Sequence, residues 1–172
     1  MAAFGAKTGR PMLVMVYGSA ADAKVFVDPT SPDERVAIGA KAFQLVQVNA
    51  EKLPEAGEIA GALAGKSTPR FVFFNADGKK VATVEGKISP GKLFEGMKAA
   101  AGSSLEGFVK DYQKFLTAVD KLEGDKATLK VKLDRLGSRA EKDASVAAKQ
   151  KEIDATSEKL VGTEKKLLQK IS

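Results

Sequence analysis

Apolar residues along this chain follow two regimes that change at Gly102. Before it they come in short blocks separated by Gly, Pro and Asx residues; after it they recur at three- and four-residue spacing. In the first regime Pro11-Met12-Leu13-Val14-Met15-Val16-Tyr17 is an unbroken apolar run closed by Gly18-Ser19, the pattern of a strand buried on both faces. Ala20 to Val27 reads as a short helix ending before Asp28-Pro29. Ser31-Pro32-Asp33-Glu34 carries three helix-start signals together: a capping Ser, a Pro at the first helical position and an acid three residues after the cap. That helix is expected to reach about Ala42.

Gln44 to Asn49 alternates and is rich in β-branched residues, which predicts a second strand. Glu55 to Leu63 predicts a weaker helix, diluted by Gly57 and Gly61, with Ile59 and Leu63 on its inner face. Arg70–Phe74 and Lys80–Glu85 predict two strands joined by Asn75-Ala76-Asp77-Gly78, a hairpin turn whose Gly suits a positive-φ position. Ser89-Pro90 then caps a helix that presents Leu93, Phe94 and Met97 on one face and closes at Gly102. The predicted order is β-α-β-α-β-β-α.

The second regime opens on Ser103-x-x-Glu106, another capping box, and continues as a heptad helix through Phe108, Tyr112, Phe115, Leu122 and Leu129. Gly137 reads as a helix stop, and Ser138-x-x-Glu141 as the start of a second heptad helix from Arg139 to Ile171 through Val146, Ile153, Leu160 and Leu167. Folding the chain back at Gly137-Ser138 pairs Phe108 with Leu167, Phe115 with Leu160, Leu122 with Ile153 and Leu129 with Val146, with Lys126 falling opposite Lys149 and Gln150. The same register suits two long helices from different subunits, and Gly137 favours the intramolecular hairpin. Two helices alone leave apolar positions uncovered, notably Tyr112, Val161 and Leu168, which points to a homodimer through the C-terminal helices or to a docked partner. The expected organisation is a domain over 1–102 and a helical hairpin, a coiled coil, over 103–172.

Composition changes the picture chiefly by what it removes. The chain has 172 residues, no Cys and no His, so thiol chemistry, disulfides, Cys/His zinc sites and every His-based dyad or triad are excluded. Ser19, Ser31 and Ser67 lack an activating base and read as caps or loop residues. Neither Asp22 with Asp28 nor Asp33 with Glu34 has the spacing of a calcium loop, so no metal or cofactor is expected. The net charge of +6 is spread: residues 1–102 hold 13 Lys/Arg against 10 Asp/Glu and residues 103–172 hold 15 against 12, +3 in each half. Interleaved acids and bases argue against nucleic acid as a partner. No run approaches the roughly 18 apolar residues of a membrane span. The first ten residues lack the basic start and apolar core of a secretory signal; a leader removed earlier would leave a periplasmic or secreted location open.

One stretch resembles a known family. Ser67-Thr68-Pro69 entering the apolar run Arg70–Phe74, with a Gly-closed turn and a further strand behind it, is similar to the Thr-Pro strand and hairpin of the thioredoxin family. Gly9-Arg10-Pro11 before the first strand and Lys24 after it align with the small bacterial thioredoxin-like proteins, over about residues 8 to 101. The resemblance implies a thioredoxin-like sandwich with a cis-proline at Pro69 facing the active site. It sets Ala20 and Ala23 at the two cysteine positions, so Cys-x-x-Cys chemistry, which needs a low-pKa thiolate and a resolving thiol, cannot run. It also implies a peptide-binding groove whose lip is Ser19, Ala20, Ala21, Asp22 and Ala23, with Thr68-Pro69 and Glu85-Gly86, where an extended protein or peptide adds as a strand. The expected function is that of a redox-inactive, thioredoxin-like binding or scaffolding module, its helical hairpin serving oligomerisation or partner docking. The alternative is a thiol-disulfide oxidoreductase in which alanines replace the cysteines at 20 and 23.

Overall fold

The computed structural model describes residues 9–19, 22 and 33–170. Among these the elements are β1 (Met12–Tyr17), α1 (Glu34–Ala40), β2 (Gln44–Asn49), a 3₁₀ segment (Ala50–Ile59), α2 (Ala60–Leu63), β3 (Arg70–Phe74), β4 (Lys80–Val84), α3 (Pro90–Ala101), α4 (Ser104–Leu136), a 3₁₀ turn (Gly137–Lys142) and α5 (Ala144–Gln169). They form two compact units that divide within α4, between Val109 and Lys110. The fold is mixed α/β: a four-stranded mixed sheet with a long helix and a C-terminal helix beyond it.

The sheet has the order β2-β1-β3-β4. β1 runs parallel to β2, with Leu13 opposite Leu45 and Val16 opposite Val48, and antiparallel to β3, with Leu13 opposite Phe73 and Val16 opposite Arg70. β3 and β4 form an antiparallel hairpin. The unbroken apolar runs occupy the two central strands, where alternate side chains enter opposite layers and both layers are covered. On one face Met12, Val14, Val16, Val72 and Phe74 pack with Leu63, joined by Val46, Val48, Leu53 and Ile59. On the other lie Leu13, Met15, Phe71 and Phe73, all buried; Phe43 meets Phe73 edge-on at 6.5 Å between centroids. α3 reaches this face so closely that a Cβ on Gly96 would lie 2.5 Å from the Phe73 ring. The edge strands alternate as half-buried strands do; Leu45 on β2 is exposed.

Several boundaries differ from the sequence expectation. Asp33, not Ser31, caps α1: its carboxylate accepts from the Arg35 N–H at 3.0 Å and from the Arg35 guanidinium at 2.7 and 3.0 Å. Those bonds hold the Asp33 carboxyl below the usual carboxylate range. Ser31 and Pro32, and the helix expected over Ala20–Val27 apart from Asp22, lie outside the described residues. The helix expected over Glu55–Leu63 is instead a 3₁₀ segment starting at Ala50, interrupted at Gly57 by φ 59° and ψ −134°, and followed by a single α-turn. Two glycines and Pro54 within ten residues explain why continuous α-helix does not propagate there. The hairpin turn forms as expected: Gly78 has φ 77°, its N–H donates to the Asn75 carbonyl at 2.9 Å, and Asn75 Oδ1 accepts from Lys79 N–H at 2.9 Å. Ser89 caps α3, its hydroxyl accepting from Lys92 N–H at 3.4 Å. α4 opens with Leu105, Phe108 and Val109 buried in the sheet-bearing unit.

In the second unit, α4 and α5 contact each other in opposite senses. Asp111 meets Lys170 at 3.4 Å, Asp125 meets Lys149 at 3.1 Å and Lys132 meets Asp143 at 3.6 Å. Leu122, Leu129 and Ile153 form one buried cluster with Val146 and Leu160 packed against it. Gly137 has φ 52°, the left-handed conformation of a helix stop. The second helix, however, starts later than Arg139. Asp143 is its cap, accepting from Ser145 N–H at 2.8 Å and Val146 N–H at 3.3 Å, so Ser138 through Lys142 form the turn.

Candidate functional site

The strand pairing determines which loops meet. Because Val16 at the end of β1 lies opposite Arg70 at the start of β3, and Phe71 lies opposite Val84 at the end of β4, three segments gather at one rim of the sheet: Gly18-Ser19, Ser67-Thr68-Pro69 and Glu85-Gly86. A Cβ on Gly18 would lie 2.6 Å from Thr68 Oγ1, so glycine is what allows the first loop to close on the second. The Thr68-Pro69 bond is cis, and Thr68 is exposed with Pro69 half-buried.

Arg70 holds this rim from beneath. It is the buried charged residue among the described ones, and its guanidinium donates to the Leu63 carbonyl at 2.7 Å and the Ser67 carbonyl at 2.9 Å. Buried donors and acceptors are thereby satisfied in pairs, and the loop leading into Thr68 is tied to α2. Glu85 accepts from Lys66 N–H at 2.9 Å, and Ser67 Oγ accepts from Gly86 N–H at 3.1 Å. Across the rim Asp22 accepts from Gly18 N–H at 3.0 Å and Ser19 N–H at 3.1 Å, while Ser19 Oγ accepts from Asp22 N–H at 3.1 Å, a reciprocal capping box.

Of the lip residues named from the sequence, Ser19, Asp22, Thr68, Pro69, Glu85 and Gly86 belong to these segments. Ala20, Ala21 and Ala23 lie outside the described residues. The Ser19 and Gly86 amides already donate within the chain, whereas Thr68 is exposed beside them. Sequence reasoning missed Arg70 as the organiser; its only signal was a cation at the entry of an otherwise apolar strand. No group of three or more carboxylates that could hold a metal ion occurs among the described residues. The rim offers hydrogen-bonding backbone and shape, with neither thiol nor imidazole anywhere in the sequence.

The helical positions divide. Phe115, Leu122, Leu129, Ile153 and Leu167 are buried, and Val146 and Leu160 are half-buried; Phe108 belongs to the first unit. Tyr112 corrects the sequence expectation that it is uncovered. It is 2 % exposed, its ring meets Phe115 at 5.3 Å, and its hydroxyl donates to Glu164 Oε1 at 2.8 Å. Burial first, and then the Glu164 carboxylate, push the phenol up to about 12. Lys126 turns to Glu123 at 2.8 Å, and Lys149, expected opposite it, pairs with Asp125 and Glu152. No described helix is long and apolar enough to cross a membrane.

Compared with known protein families and with curated protein sequences, the chain matches none.

Proposed function

We propose that the sheet-bearing unit is a thioredoxin-like domain that binds an extended polypeptide at the Thr68 rim without redox chemistry, and that α4 and α5 form an antiparallel coiled-coil hairpin serving oligomerisation or partner docking. The observation that carries the reading is the approach of Gly18 to Thr68 Oγ1, which gathers three loops around one exposed main-chain segment at the end of a mixed sheet. Strand order and the βαβ…ββα succession support the fold assignment. The missing cysteines support the absence of disulfide exchange.

An added peptide strand takes its affinity from main-chain hydrogen bonds and its selectivity from alternate side-chain pockets. Here the main-chain partner is Thr68, while Ser19 and Gly86 shape the lip through internal bonds. The test is a titration of the full ¹⁵N-labelled chain with an extended Thr/Val-rich peptide. The Thr68 amide should shift most, with smaller shifts at Ser19 and Gly86; unmoved resonances at all three would refute the groove.

A further inference from the structure

The two sides of the α4–α5 pair are built differently. One side is laced by Asp111–Lys170, Asp125–Lys149 and Lys132–Asp143, whose α4 members recur at whole-heptad steps. The other side holds a groove of about 370 Å³ with Lys126, Lys130 and Leu133 on the α4 wall and Gln150 and Asp154 on the α5 wall. Val161 lies one heptad beyond Asp154 and is 71 % exposed; Leu133 is 36 % exposed. Among the described residues neither Lys130 nor Asp154 is in an ion pair, Asp154 accepting only from Gln150 at 2.8 Å.

From this we infer that the unlaced side is a homodimer interface, occupied by the same side of a second copy. The inference deepens the reading of α4 and α5 as an oligomerisation hairpin and rests on it. A two-fold interface must be self-complementary. This one is: Lys130 on the α4 wall and Asp154 on the α5 wall exchange places under a two-fold axis, so that each copy's Lys130 faces the other's Asp154. Lys126 stays with Glu123 of its own chain, and Leu133 and the exposed Val161 supply apolar contacts. Opposite charges flanking an apolar seam set partner and orientation in helical assemblies, and the carboxylates of the laced side, Asp111, Asp125 and Asp143, are already paired within the chain.

Sedimentation equilibrium of the full chain tests it, with circular dichroism confirming retained helicity. The wild type should dimerise between micromolar and millimolar concentration. Val161→Glu should weaken the dimer at least about tenfold, a change of roughly 1.4 kcal/mol. Val131→Glu, at an exposed position beside Lys132, should leave it intact. Lys130→Glu and Asp154→Lys should each weaken association, and the double variant should restore it. A monomeric wild type, equal damage from Val131→Glu, or no rescue by the double charge reversal would overturn the interface. None of these outcomes touches the Thr68 rim, which the peptide titration reads separately.

Discussion

The central sheet and the helix pair bury the same residue types by different geometry. In β1 and β3 the two-residue period sends successive side chains into two covered layers, and Leu13, Val14, Met15, Phe71 and Val72 are at most 1 % exposed. Along α4 and α5 the apolar stripe meets a single facing helix, so Leu122, Leu129 and Ile153 reach 4–6 % while Leu133 and Val161 stay open. A strand between two layers can hide every residue; a helix against one neighbour hides a seam.

The largest expected effect sets those two kinds of core side by side. Leu13→Ala should destabilise the sheet by about 3–5 kcal/mol, and Leu129→Ala the helix pair by about 2–3 kcal/mol, because a seam one layer deep collapses around a cavity more readily. Residue-resolved hydrogen exchange on the full chain separates the two losses, and equal losses would break the comparison.

Next in size is a pH effect confined to the helix pair. A tyrosine whose pKa rises from near 10 to about 12 on folding holds its proton more tightly in the folded chain. Its contribution is therefore whole below pH 10 and lost as pH rises from 10 to 12, on the order of 1–3 kcal/mol. Tyr112→Phe should flatten the decline of α4–α5 stability over that window, with lysine deprotonation accounting for what remains; an unchanged slope would deny Tyr112 the role. Smallest is Gly137→Ala. No atom lies within 4 Å of the added Cβ, so the cost is the left-handed backbone alone, about 1 kcal/mol, visible as a small fall in the thermal midpoint of the helical signal.

Much of this architecture is legible in the sequence. The strands stood out because apolar runs bounded by Pro and Gly admit few alternatives, and Asn75–Gly78 because each residue suits its turn position. Helix starts were less legible: Ser31 and Asp33 are both good caps, as are Ser138 and Asp143, and the choice went to the carboxylate with a nearby cation, Arg35 in one case and Lys132 in the other. Six of the nine lip residues lie in or beside the described rim segments, but their hydrogen bonding was illegible, since Ser67 reaches Gly86 and Lys66 reaches Glu85 across the hairpin.

The sequence by itself determined the period of each element, the absence of thiol and imidazole chemistry, and the apolar spacing along the C-terminal helices, because these are local or compositional properties. Only the tertiary structure decided that Arg70 would be buried beneath the rim, that Tyr112 would find Glu164, and that the ion pairs would collect on one side of α4 and α5. Each of those depends on groups far apart in the chain arriving together, and spacing along the chain does not specify which of several chemically similar partners will be within reach.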